Sequence, residues 1–254
     1  LNSGQLEKLG VKYILIESVQ RRSLERFAIN DMNINISNID NFKNQILNNQ
    51  KNDNLIQSHS NEQFEINWID VFNSIFSKSN NNDVSVINNL NLNAFIYNAK
   101  FKIKGHGKMA PHVYRELLNK DFFSTEVSRD LLFYDEDLKY LKYESEENIK
   151  LLNNNFNLLA KALGEKNIKL IFMPAVDKYN LYSPYIISNT YQKSIFFEYL
   201  DSLPKDYIFI NTKKILSEQL EKGEKDIFYA DDTHWSHKAS EVIIKDESFK
   251  IIFN

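Results

Sequence analysis

Apolar and polar positions along the chain fall into alternating blocks of two lengths. VKYILI at 11–16 is a β-branched and aromatic run set between Gly10 and the polar pair Glu17-Ser18, which predicts a buried strand. Residues 19–29 then read as a basic helix carrying Arg21, Arg22 and Arg26. Further on, Ile149, Leu152, Phe156, Leu159 and Leu163 follow a 3-4-3-4 spacing that places five apolar side chains on one stripe of a helix over 146–163. Ser145 is its natural N-cap, Glu146 and Glu147 suit the positive end of the dipole, and Gly164 can close the far end. IKLIFM at 168–173 follows as a strand that Pro174 stops. A helix around 190–200, a strand YIFI at 207–210, a helix over 213–221 ended by Gly223, a short strand IFY at 227–229 and a last helix after Ser236 complete the alternation. Strands that are apolar throughout, spaced by amphipathic helices, imply a parallel sheet covered on both faces. The expected class is therefore α/β, a three-layer sandwich with a mainly parallel sheet.

Between 30 and 100 this order degrades into Asn, Asp, Ser and Gln with scattered apolar anchors. Trp68, Val71, Phe72, Ile75 and Phe76 have helical spacing and predict one amphipathic helix there. The chain holds 33 asparagines, most of them in this stretch, and a compositional drift accounts for that bias better than a function does. Residues 1–29 and 101–254 are thus read as the α/β domain, and 30–100 as an Asn-rich insertion or loosely packed subdomain.

Composition mostly excludes. The 31 Lys and Arg against 34 Asp and Glu, a net charge of −3, remove a strongly basic nucleic-acid face from consideration. The absence of cysteine removes disulfides, zinc-thiolate sites and thiol nucleophiles. No run approaches 18 apolar residues, so no membrane span is expected. The sequence begins at Leu1 rather than at a methionine, and any export signal or anchor is expected upstream of it.

In open α/β sheets, ligands sit beyond the carboxyl ends of the strands, which singles out Glu17-Ser18, Pro174 to Tyr185, Asn211-Thr212 and the loop Ala230 to His237. The last is the densest in chemistry: Tyr229 to His237 reads Y-A-D-D-T-H-W-S-H. In an extended segment residues two apart point to one side, so the Asp232 carboxylate can reach the Nδ1 of His234 and leave Nε2 to accept a proton from a hydroxyl. Two other readings of the same residues stand beside it. One is a polar loop with an N-cap at Ser236 and an aromatic plug at Trp235. The other is a metal site from His234 and His237 with Asp231 or Asp232, to which His106 or His112 would have to add a donor, since such metals need three or four.

The string D-T-H-W at Asp232 to Trp235 resembles the signature of the alginate O-acetyltransferase (AlgJ/AlgX-like) branch of the SGNH-hydrolase-like superfamily. M-P-A-V-D-K-Y-N-L-Y, Met173 to Tyr182, is similar to the segment preceding that motif, and V-K-Y-I-L-I-E-S-V-Q-R, Val11 to Arg21, to the strand with Glu and Arg that follows the nucleophile block. The resemblance spans roughly 1–27 and 110–245 and implies an SGNH/flavodoxin-like sandwich.

It further implies an O-acyltransferase or esterase acting by a Ser-His-Asp mechanism on acetyl groups of a cell-envelope or exported polysaccharide. His234 is then the general base, Asp232 its orienting partner, and Lys178, Tyr182 and Trp235 substrate-binding residues, with no cofactor and no metal. A membrane-bound O-acyltransferase as acetyl donor and a periplasmic or cell-envelope location are implied in the same way. No G-D-S or G-T-S block occurs in the 254 residues. The nucleophile is accordingly expected upstream of Leu1, with Ser18 as the candidate inside the chain. Outside that reading remain a non-catalytic carbohydrate-binding or assembly domain, which the 13% aromatic content would equally serve, and a metal-dependent hydrolase.

Overall fold

The computed structural model describes residues 10–29, 96, 99–100, 103, 105–188 and 190–250. The helix expected around Trp68 to Phe76, and the assignment of 30–100 to an insertion, lie outside the described residues.

The fold is α/β, built around β1 (Tyr13–Val19), β5 (Lys169–Ala175) and β6 (Ile208–Phe209), paired parallel in the order β1-β5-β6. β5 is central, and its consecutive buried residues Leu170, Ile171, Phe172 and Met173 show that both of its faces are covered. α1 (Gln20–Leu24) continues β1 and widens into a π-helical turn at Glu25–Ile29. α3 (Glu146–Gly164) lays its apolar stripe on this sheet, with the Phe156 ring 4.2 Å from that of Phe172 and 5.2 Å from that of Phe27. Each such aromatic removed from water is worth about 1.5–3 kcal/mol. Ser145 caps α3 by accepting from the Asn148 amide at 3.2 Å. The left-handed residue after this helix is Asn167 at φ 57°, not Gly164, and the Ile168 amide returns to the Leu163 carbonyl at 3.1 Å.

Pro174 does not stop β5. The strand runs through it, because Ser18 of β1 still pairs alongside while β6 has already ended at Phe209. Beyond β6 a side chain takes over the ladder: the Thr212 hydroxyl donates to the Pro174 carbonyl at 2.5 Å and accepts from the Val176 amide at 3.1 Å.

A second sheet was not expected. β2 (Gly107–Ala110), β3 (Val113–Leu117) and β4 (Asp130–Tyr134) form an antiparallel meander that leads into α2 (Asp135–Lys139) and a 3-10 turn at Tyr140–Tyr143. It joins the body of the domain through the Leu118–Ile186 bridge and the Asn119 amide on the Tyr185 carbonyl at 2.9 Å. After β5 come α4 (Lys178–Tyr182), a 3-10 turn at Ser183–Tyr185 and α5 (Phe196–Ser202), which starts later than the helix expected around 190. α6 (Thr212–Glu221), α7 (His237–Lys245) and α8 (Glu247–Lys250) close the described chain. Gly223, at φ 86°, ends α6 as its position in the sequence predicts. The expected strand at 227–229 is reduced to a single antiparallel bridge between Phe228 and Trp235.

Candidate active site

That bridge closes the D-T-H-W loop. The Tyr229 amide reaches the His234 carbonyl at 3.2 Å, and the Ser236 amide reaches the Ile227 carbonyl at 2.8 Å, so the chain leaves and re-enters the fold at one place. Ser236 then starts α7. Its hydroxyl donates to the Asp226 carbonyl at 2.5 Å and accepts from the Lys238 amide at 3.2 Å, while Ala239 and Ile243 bury the helix. Asp226 adopts φ 60°, and its carboxylate takes the Ser124 amide at 2.8 Å and the Ser124 hydroxyl at 2.5 Å.

At the tip of the loop, Asp232 Oδ1 lies 2.7 Å from His234 Nδ1 and also accepts the His234 amide at 3.1 Å. A carboxylate cannot donate, so Nδ1 carries a proton, and in the neutral form of the ring the lone pair is that of Nε2. Partial burial pulls the Asp232 carboxyl upward, but its hydrogen bonds from His234 outweigh this and hold it below the usual carboxylate range. The dyad faces outward: the His234 side chain is 80% exposed and that of Asp232 51%. Among the described residues no hydroxyl hydrogen-bonds to Nε2.

Below the loop the interior is polar. Lys178, the first residue of α4, is buried, and its Nζ donates to the carbonyls of Tyr229 (2.6 Å), Ala230 (2.9 Å) and Asp232 (2.9 Å). Arg21, just after β1, binds Asp177 at 2.6 Å and Asp137 at 3.3 Å, both buried. Burial raises both carboxyls above their ordinary range, helped at Asp177 by the charge of Asp137 and at Asp137 by that of Glu136, which takes Asp137 to about 6. Burial alone would lower the Arg21 guanidinium, yet Asp177 and Asp137 outweigh it and hold the group charged. Gln20 extends the network: it donates to Glu144 and Ser194 at 3.0 and 2.9 Å, and accepts from the Asp177 amide and the Asn180 side chain.

The structure thus brings Asp232 and His234 together, and it moves two other expected residues. Lys178 and Tyr182, expected to contact substrate, are 1% and 0% exposed. Lys178 is turned toward loop carbonyls, and Tyr182 is packed among Phe122, Phe123 and Phe228, so neither side chain lies at a surface. Trp235 is half-buried against the core beside the dyad, with Tyr229 exposed near it. Ser18 is buried, and its hydroxyl donates to the Val19 carbonyl at 3.3 Å rather than to His234. Among the described residues no three His, Asp or Glu side chains converge as metal donors. His112 instead contacts Asp135 at 3.2 Å, and His106 lies 3.7 Å from Glu116, which is buried and accepts from Ser188 and Tyr191. The buried polar floor went unread in the sequence, although Gln20-Arg21 and Asp177-Lys178 each fall immediately after a strand, where such groups would be sought.

Residues 128–245 match the family model described as the SGNH hydrolase-like domain of the acetyltransferase AlgX. Neither a curated protein nor a solved structure matches the chain. The family match runs from the segment before β4 to the end of α7 and takes in Lys178, Asp232 and His234, which meet at the same loop, and Asp177 beneath it. Over these residues the chain is thus similar to the AlgX-type SGNH hydrolase-like domain.

Proposed function

We propose that the domain catalyses acetyl transfer or acetyl-ester hydrolysis on a cell-envelope or exported polysaccharide, with His234 as general base and Asp232 holding its tautomer. The observation that carries this reading is the 2.7 Å contact from Asp232 to Nδ1, which in the neutral ring leaves the lone pair on Nε2, facing an incoming hydroxyl. That hydroxyl attacks the acetyl carbonyl as its proton moves to Nε2, and the resulting imidazolium, held by Asp232, returns the proton to the leaving oxygen. The family model names an acetyltransferase, which supports acetyl as the group moved. In this proposal the acetyl donor is a membrane-bound O-acyltransferase, and the site of action is the periplasm or cell envelope. No helix among the described residues is long and apolar enough to cross a membrane.

The test is hydrolysis of an aryl acetate, and then of an acetylated polysaccharide. His234→Ala should reduce catalysis to background. Asp232→Asn, which keeps the shape but loses the charge that selects the tautomer, should lower kcat by about 10⁴-fold. Undiminished turnover in His234→Ala rules the mechanism out. A second reading is favoured by the aromatic rings of Trp235 and Tyr229 beside the dyad, which suit stacking on sugar faces: a carbohydrate-binding domain without turnover. It calls for glycan binding that survives His234→Ala but not loss of those rings.

A further inference from the structure

We propose that Lys178 is the positioning residue of the Asp232–His234 dyad, its ammonium fixing from inside the protein the loop backbone on which both side chains stand. The inference rests on the reading of His234 as a base and adds what holds that base in place. An ammonium has three protons and no acceptor. Lys178 Nζ meets three carbonyls, of Tyr229, Ala230 and Asp232, at 2.6, 2.9 and 2.9 Å. Every donor is used, all three acceptors belong to one loop, and the third is the backbone of the orienting aspartate itself.

Lys178 is well placed for this. It begins α4, so its main chain is fixed by β5 on one side and by the Tyr179 amide on Asp137 (3.2 Å) on the other. The ring of Phe123 lies 5.2 Å from Nζ and closes off water. The charged groups acting on it are Asp231 and Asp232 from the loop and Asp137 from α2, while Asp177, the preceding residue, is engaged by Arg21. Burial lowers the Lys178 ammonium to about 8 against the pull of these carboxylates. A neutral amine would point a lone pair at one of the three carbonyls, so losing the proton loosens the loop. The same loss relieves a desolvation cost. Because the lowered value makes the native state bind its proton less tightly than the unfolded chain, this group's contribution to global stability improves as pH rises above 8. Positioning and stability therefore move in opposite directions, which a merely structural lysine would not produce.

The test reads the loop independently of turnover. Imidazole ¹⁵N spectra of the full chain at pH 7.5 should show His234 as the Nδ1–H tautomer. In Lys178→Met the signal should shift to a mixture containing Nε2–H, and the His234 amide should exchange at least tenfold faster. In the unmutated protein the same change should appear with a midpoint near pH 8, tracked by the Nζ resonance, without a fall in melting temperature between pH 7.5 and 9. This keeps the proposal testable if Lys178→Met does not fold. Where turnover is measurable, Lys178→Met should lower kcat with KM little altered, and Lys178→Arg should not restore it, since a planar guanidinium cannot converge on three carbonyls. A tautomer unchanged in Lys178→Met, or unchanged while Nζ demonstrably deprotonates, overturns the proposal. A protein that shows the expected tautomer shifts but never turns over an acetyl ester instead defeats the proposed function.

Discussion

Replacing Arg21 by Met tests the electrostatics beneath the site. The guanidinium stands between two buried carboxylates, Asp177 at 2.6 Å and Asp137 at 3.3 Å, with Glu136 further out at 3.7 Å. In the intact protein burial raises Asp137 from 3.8 to about 6, so the native state binds that proton more tightly than the unfolded chain. Stability therefore falls as pH climbs from about 4 to 6, by about 3 kcal/mol, and this contribution is flat above. Without Arg21 both carboxyls rise further, and the decline steepens and extends into the neutral range. At pH 7.5 the variant should lose about 3–5 kcal/mol, the usual cost of leaving buried charge uncompensated. At pH 5, where both carboxyls can take up protons, the loss should be less than half as large. Urea denaturation followed by tryptophan fluorescence at the two pH values measures both figures. Equal losses would refute the argument, because they would assign the role of Arg21 to packing of its alkyl stem rather than to charge.

Two further outcomes follow from single groups. Ser236→Ala removes both the N-cap of α7 and the donor to the Asp226 carbonyl, and should cost about 1–2 kcal/mol in thermal or urea unfolding, with faster amide exchange confined to the start of that helix. Burial raises the hydroxyls of Tyr182 and Tyr207 well above the ordinary phenol, and burial together with Glu116 does the same for Tyr191. Absorbance at 295 nm should therefore leave these three un-ionised at pH 11 in the folded protein and release them only on unfolding. Their smooth titration with the exposed tyrosines would contradict the burial described.

The dyad was legible because its geometry is local: two residues apart in an extended loop is a relation that sequence states outright. The core of α3, its cap at Ser145 and the end of α6 at Gly223 were legible for the same reason, each being set by neighbours within a turn or two. The polar floor was not, because Arg21 meets partners 116 and 156 residues away and nothing local marks a charged side chain as buried. Lys178 is expected at the substrate, not beneath the loop, on that account. The antiparallel sheet escaped for a different reason. Glu116, the last residue but one of β3, is fully buried and satisfied by Ser188 and Tyr191, which breaks the apolar alternation by which a half-buried strand is recognised. β4, where Leu131 and Phe133 are buried and alternate with less buried neighbours, did carry the signal. Pro174 misled because its missing donor matters only where a neighbouring strand would need it, and β6 has ended by then.

An outward-facing dyad raises the question of what keeps it in one geometry. Tyr229 to His234 buries little apolar surface, and fixing the backbone of such a segment costs about 1–2 kcal/mol per residue. Hydrogen bonds to a charged donor are worth about 1.5–3 kcal/mol each, so the three from Lys178 are of the size needed to offset most of that cost. They can be so only because the ammonium is itself buried, and α4, which carries it, is held by Asp137 and by the Arg21–Asp177 pair at its start. The order of the exposed chemistry is thus imposed from beneath: charge pairing at the ends of β1 and β5 fixes α4, α4 fixes Lys178, and Lys178 fixes the loop. Nε2 can then stay open on the solvent side, where a substrate can reach it, without the loop needing an apolar anchor of its own.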